Sequence, residues 1–260
     1  MSYFAAYGRL IAADAKVKLA HRADFAFILL GMIATSLASG AALYLMVGQG
    51  GTMAGYSRYE LVFMQGFMFC TYAFESSFCN AMYMLETWLK NGNFVRYYLR
   101  PVHPIKTLLL ERFHPQGLIV LGVGLAFCGF ALAHLPDLVD TRFVLAFLLL
   151  WPLAALLLTT INLAAISSCF FVGEFFPVFH TVGKITDMSR YPFEVFPKLM
   201  RHAFQLLPLA GLVWLPCQVL LRGEPLLPIL AGMLLLAAVS LGLLNWQWRA
   251  GMRRWAGAGG

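Results

Sequence analysis

Stretches of 19 to 30 residues with scarcely an ionisable side chain recur along the chain, at 25–47, 117–135, 143–172 and 226–246. Few folds tolerate them. A helix needs about 20 apolar residues to cross the hydrocarbon core of a bilayer, whereas strands of a membrane barrel alternate in polarity over segments of about ten. Unpaired backbone cannot face hydrocarbon, so long apolar runs imply a bundle of helices. Charged residues make up only 12% of the chain, against about 25% in a soluble domain. The expectation is an all-α, polytopic membrane protein with a single transmembrane domain over 1–260.

Residues 2–23 place Tyr3, Phe4, Tyr7, Leu10 and Ile11 at helical spacing and Arg9, Asp14 and Lys16 on other faces, which predicts an amphipathic helix lying in the interface. No small-residue cleavage site follows a short apolar region, so the first span, about 25–47, reads as an uncleaved anchor. A glycine-rich turn at 48–55 leads to a second span over about 59–85, interrupted by Gln65, Glu75 and Asn80. A polar, aromatic loop at 86–115 precedes the third span, 117–135, and a turn at Pro136, Asp137 and Asp140 precedes the fourth, 143–172.

Beyond 172 two readings compete. Hydropathy favours a fifth span at 199–221; the other option is a weaker span at 170–188 with 190–222 folded into the outer leaflet as a broken, re-entrant pair. Pro192, Pro197, Pro208 and Pro216 favour the second, because each removes a backbone donor and breaks or kinks a straight helix. The last span, 226–246, is common to both, so six spans follow either way.

The net charge of +7 does not point to nucleic acid, because the basic residues fall between and outside the apolar runs. On the hydropathy reading 16 Lys and Arg lie inside and 3 outside; on the re-entrant reading, 12 and 6. Both readings place the two termini in the cytoplasm of a bacterial inner membrane. The five cysteines are widely spaced and read as small buried apolar side chains; no metal site is expected.

No P-loop is present: Gly183-Lys184 lacks a glycine five residues earlier, where Val178 stands, and is followed by Ile185. No hydrolase or protease motif appears, and no catalytic residue is assigned. The most informative stretch is 86–100, with a charged helical start, an Asn91-Gly92 turn, and an aromatic-basic segment halted before Pro101. Trp88, Leu89, Phe94, Arg96, Tyr97, Tyr98, Leu99 and Arg100 are its candidate docking residues.

Within this loop Gly92-x-x-x-Arg96-Tyr97-x-Leu99-Arg100-Pro101, and further on Tyr191-Pro192-Phe193-Glu194-Val195-Phe196-Pro197 with Pro208 and Pro216, resemble segments of the permease subunits of type-2 ATP-binding-cassette exporters. The resemblance covers essentially the whole chain by span order. It implies a dimer of permeases, identical or paralogous, each with six spans, seated on separate ATPase subunits. ATP and Mg2+ would then bind the partner and no cofactor would bind this chain directly; 86–100 would be the coupling helix and 190–222 the outer re-entrant hairpin. The function implied is efflux of an amphipathic or apolar substrate. A secondary carrier and a multi-pass membrane enzyme are the alternatives.

Polar residues within spans complete the candidates. Glu75 is costly in lipid and should face a cavity, a partner helix or a dimer seam, and Asn80 and Asn162 are candidates for the same path or seam. Interhelical hydrogen bonding is the simpler role for Asn80, Asn162 and Gln65. Lys184 and Asp187, three apart, are expected to pair, and Trp246 and Trp248 to anchor the last span at the interface.

Overall fold

The computed structural model describes residues 22–48, 51–99, 104, 105, 108 and 113–255. The interfacial helix expected at 2–23 lies outside the described residues except for its last two, which begin α1, Arg22–Val47. Arg100 and Pro101 also lie outside them. A hairpin of two short strands, Thr52–Met53 and Tyr56–Ser57, turns the chain into α2, Arg58–Phe78. Ser57 and Glu60 close a capping box there: the Glu60 amide donates to Ser57 Oγ at 3.3 Å and the Ser57 amide to Glu60 Oε2 at 2.7 Å.

Next come a 3-10 turn, Asn80–Met84, and the short helices α3, Leu85–Lys90, and α4, Val95–Tyr98. The helices α5, Gln116–Ala133, and α6, Thr141–Ser167, form a hairpin around the 3-10 turn Pro136–Leu138, with Asp140 capping α6 by accepting from the Phe143 amide at 2.6 Å. A short helix α7, Cys169–Val172, follows α6, and the long α11, Leu226–Arg254, ends the described chain.

Among the described residues, four helical stretches are long and apolar enough to cross a membrane: Leu30–Val47, Gln116–Ala133, Thr141–Val172 and Leu226–Arg254. The 21-residue α2 is about 31 Å long at the helical rise of 1.5 Å per residue. Its apolar content is diluted by Gln65, Thr71, Glu75 and Ser77, all of them buried, because α2 sits at the centre of the bundle rather than at its rim. It runs antiparallel to α5 at close range. A Cβ on Gly66 would lie 2.8 Å from the Gly124 carbonyl oxygen, and one on Gly124 would lie 2.7 Å from the Cys70 amide. Small residues on facing helices let backbones approach and gain dispersion contacts that lipid cannot supply. The five cysteines, all buried and free, include Cys70 and Cys128 in this seam, where they pack as small residues.

The chain from 173 to 223 contains no single long helix. It divides into α8, Phe176–Asp187, α9, Lys198–Leu206, and α10, Trp214–Arg222, separated by 3-10 turns. The stretch 199–221 is therefore not one straight span, and 170–188 is divided at Gly173 between α7 and α8. Proline explains the divisions. Pro192 and Pro197 precede a 3-10 turn and α9, Pro208 opens the turn Pro208–Gly211, and Pro216 lies in the first turn of α10, where its missing N–H costs no intrahelical bond. From α8 the chain reaches Glu194, which shares a surface pocket with Gly55 and Tyr56 of the strand hairpin. It then passes through α9 to Gly211, which packs against Leu157 of α6 and Met233 of α11, and returns through α10 to Arg222. Arg222 donates to the Gly55 carbonyl at 2.7 Å and stacks over the Tyr56 ring at 4.1 Å.

Two hydrophobic clusters result. One, at the hairpin end, gathers Tyr56, Phe63, Phe143, Phe193 and Leu212; the other, at the opposite end, gathers Met82, Trp88, Phe94, Tyr97 and Trp248.

Candidate functional site

The loop region singled out in the sequence folds as an aromatic platform. Gly92 has φ of +72°, a conformation that favours glycine, and turns the chain so that the Phe94 amide donates to the Trp88 carbonyl at 3.1 Å. Phe94 and Tyr97 are fully buried and Trp88 nearly so. Phe94 makes edge contacts with Phe170, Trp248 and Trp255, at centroid distances of 5.9, 6.4 and 5.2 Å. Arg96 lies on the outside, its guanidinium 4.6 Å from the Trp88 ring centroid and 4.7 Å from that of Tyr97. Leu89 is half-buried, and Leu99 stands 75% exposed beside the exposed Val95. The predicted docking residues thus divide: Trp88, Phe94 and Tyr97 form the base, while Arg96 and Leu99, with Val95, which was not among those predicted, form the outward ridge. Tyr98 occupies the last position of α4.

A carboxylate ties this platform to the chain after α7. Glu86 accepts from Lys90 Nζ at 2.6 Å and from the Phe175 amide at 3.1 Å. The Lys90 ammonium, followed by the Phe175 N–H, holds the Glu86 carboxyl below the usual range.

Directly above the platform, Glu75 of α2 is buried. It accepts from Asn162 Nδ2 of α6 at 2.6 Å and from the Tyr83 hydroxyl at 2.8 Å. The structure therefore brings Glu75 and Asn162 together, while among the described residues Asn80 bonds neither and instead begins the 3-10 turn that carries Tyr83. Tyr83 contacts the Phe179 ring of α8 edge-on at 5.2 Å, so one carboxylate joins α2, α6, the platform and, through Tyr83, α8. Gln65 Nε2 donates to Ser39 Oγ at 3.2 Å, linking α1 to α2.

The expected Lys184 pair does not form. Asp187 accepts from Arg190 and, at 3.3 Å, from the Tyr72 hydroxyl. Arg190 is three residues along, as Lys184 is, but its longer side chain also reaches the Asp187 carbonyl at 2.9 Å. Trp246 is exposed as an interfacial anchor would be, whereas Trp248 is buried in the platform. Sequence reasoning missed the platform role of Trp248 and did not single out Tyr83. The buried positions Ala237, Leu244, Trp248 and Gly251 of α11 lie at helical spacing, a signal that would have found Trp248.

At the hairpin end a second aromatic group forms around Phe193, which follows Pro192 in sequence. Phe193 stacks on Trp214 at 5.3 Å, Trp214 Nε1 donates to Glu194 at 3.1 Å, and Arg201 donates to the Phe193 and Glu194 carbonyls at 3.2 and 2.8 Å.

Apolar helices packed around a central, partly polar helix, with an exposed ridge on a base of buried aromatics, make this a polytopic membrane protein. The chain matches the family described as ABC-2 family transporter protein over residues 30–259, and it belongs to that family as a permease of an ATP-binding-cassette transporter. No curated protein and no solved structure matches the chain.

Proposed function

We propose that this chain is the membrane-spanning subunit of an exporter in a bacterial inner membrane, coupling ATP hydrolysis by a separate ATPase to outward movement of an amphipathic or apolar substrate. One observation carries the reading: in a chain of the ABC-2 family, Val95, Arg96 and Leu99 project from a base of buried aromatics at the end opposite the strand hairpin. A projecting side chain transmits force only if its base does not yield, and Phe94 packed among Phe170, Trp248 and Trp255 supplies such a base. In this reading 86–100 is the coupling segment, ATP and Mg2+ bind the partner ATPase, and a second permease, identical or paralogous, completes the complex.

Six crossings accommodate the chain, with α1, α2, α5, α6 and α11 as five and α8 beginning the remaining one. The segment around Glu194 then lies outside as the turn of a re-entrant hairpin, and both termini are cytoplasmic. Two observations support this side: Glu194 shares a pocket with the strand hairpin, and each proline stands at or near the start of a new element.

The test is to purify the tagged chain from its native membrane and to measure the ATPase activity of what accompanies it. An ATP-binding-cassette ATPase should co-purify. Leu99→Ala should leave the melting temperature unchanged, since an exposed side chain contributes within about 0.5 kcal/mol, while lowering the activity that the permease imparts. Unaltered activity in Leu99→Ala removes the coupling role, and absence of an ATPase removes the exporter reading.

A further inference from the structure

Arg58, the first residue of α2, is held against two aromatic rings with no carboxylate opposite it. Its guanidinium lies 4.7 Å from the centroid of Tyr44 on α1 and 4.9 Å from that of Tyr59, and one of its nitrogens donates to the Tyr59 hydroxyl at 3.0 Å. Tyr59 in turn stacks on His134, just past α5, at 4.2 Å. Glu60 is two residues away but is taken, since it accepts from the Ser57 amide at 2.7 Å and faces Arg222 at 3.5 Å. Arg58 forms no ion pair among the described residues. A guanidinium carries five N–H donors in a fork that fits the oxygens of a phosphate, and here a single one has a partner.

The ring that holds this cation also walls a cavity. Between α1, α2 and α5 lies an apolar space of about 350 Å3, lined by Leu37, Gly40, Tyr44, Val62, Phe127 and Phe130 together with Ala41 and Ala126. Small-ligand sites commonly hold about 300 to 1,000 Å3. Val62 is buried and stands four residues after Arg58 on the same face of α2, about 6 Å along the axis. Arg58 therefore sits over one end of the cavity, in contact with Tyr44 and one turn from Val62. From that end the α1 wall runs seven residues, Tyr44 back to Leu37, or about 10 Å. Leu37, Ala126 and Phe130 are exposed, so the cavity opens sideways between α1 and α5, two helices long and apolar enough to cross the membrane.

We propose that this groove binds an anionic phospholipid, with its phosphate on the open donors of Arg58 and one acyl chain in the cavity beside Tyr44 and Val62. Charge and shape select that occupant together. Tyr44 is three residues from the end of α1 and Arg58 begins α2, which puts the cation at the end of the helices, where basic pockets between spans meet lipid headgroups. A soluble anion would make no use of the cavity, and a zwitterionic head brings its own ammonium group to compete with the guanidinium. The site stands on the geometry of the hairpin end and does not depend on the exporter reading.

The test reconstitutes the full chain in phosphatidylcholine nanodiscs containing, at equal low abundance, either phosphatidylglycerol or phosphatidylcholine with the same photoreactive diazirine on one acyl chain. After illumination the labelled peptides are mapped. Phosphatidylglycerol should label 37–44 and 126–130 well above phosphatidylcholine. Arg58→Gln should lower that label about tenfold, the scale of one hydrogen bond to a charged group, while leaving the phosphatidylcholine label as it was. Arg58→Lys should restore most of it, and Ala126→Phe, which fills the mouth of the cavity, should remove the label of both probes.

Equal labelling by the two lipids, or no loss in Arg58→Gln, overturns the proposal. A matching fall of both labels in Arg58→Gln overturns it as well, because the arginine would then shape the groove and not read the charge. Displacement of the phosphatidylglycerol probe by an equal concentration of glycerol phosphate would make Arg58 a site for soluble phosphate, and a disulfide between two copies of a Leu37→Cys variant with the native cysteines replaced would make the groove a subunit seam. Either result removes the lipid.

Discussion

The two ends of the bundle are built from the same material and finished differently. At the hairpin end, Phe193 and Trp214 stack, and the polar groups around them turn inward: Arg201 satisfies two carbonyls, Arg222 reaches Gly55, and Ser57 and Glu60 cap α2. At the platform end, Trp88, Phe94 and Tyr97 are as deeply buried, yet Val95, Arg96 and Leu99 stand outside them. At one end the polar side chains are taken up by backbone and capping contacts while Val195 and Leu199 stay exposed; at the other Arg96 joins Val95 and Leu99 in a ridge. The contrast teaches that aromatic content and burial alone do not identify a docking surface, since Phe193 and Phe94 are both fully buried; the placing of the polar neighbours differs.

The sharpest way to break this comparison is to ask whether the two ends lie on opposite sides of the membrane. Val195 and Val95 are similarly exposed, at 46% and 41%. In a background with the native cysteines replaced, Val195→Cys should be labelled by a membrane-impermeant thiol reagent in intact cells and Val95→Cys only in inverted vesicles. Labelling of both from one side would place the ends together and remove the outer hairpin.

A smaller effect tests whether the ends are independent. Truncating a buried phenylalanine costs about 3 to 5 kcal/mol. Phe94→Ala should speed hydrogen exchange in 80–99 with little change in 193–222, and Phe193→Ala should do the reverse. Matching changes at both ends in either variant would show a single cooperative unit.

The smallest effect concerns the carboxylate between them. Glu75→Leu leaves Asn162 Nδ2 and the Tyr83 hydroxyl without their acceptor, at about 1 to 3 kcal/mol for each buried polar group left unpaired. Glu75→Gln keeps an oxygen acceptor and should lose about half as much or less. Thermal unfolding in detergent reads both, and equal melting temperatures for the two variants would show that the node carries no such weight.

Much of the architecture was legible because it depends on the solvent. A run of 19 to 30 apolar residues has one stable form in a bilayer, and helices appear over most of 25–47, 117–135, 143–172 and 226–246. The breaks at Pro192, Pro197, Pro208 and Pro216 were legible too, because a missing N–H is a local fact. The loop was recognisable by its Asn91-Gly92 turn and its aromatic-basic composition. Which of its side chains are base and which are ridge was not, since that depends on Phe170 and Trp248, respectively 76 and 154 residues further along the chain.

The partner of Asp187 shows the same limit. Spacing allowed Lys184 or Arg190 equally, one on either side, and only the packing of α8 against α2 turned Asp187 toward Tyr72 and Arg190 and left Lys184 outside. That choice also bears on the charges that weigh against an outer position for 190–201, because Arg190 and Arg201 are already occupied by Asp187 and by the Phe193 and Glu194 carbonyls. By itself the sequence determined that this chain is a helical bundle in a membrane and where its helices must break, because hydrocarbon and proline act on each segment separately. Only the tertiary structure decided that Glu75 meets Asn162, that Trp248 supports Phe94 and that Asp187 takes Arg190 rather than Lys184, because each of these depends on which faces of distant helices are brought into contact.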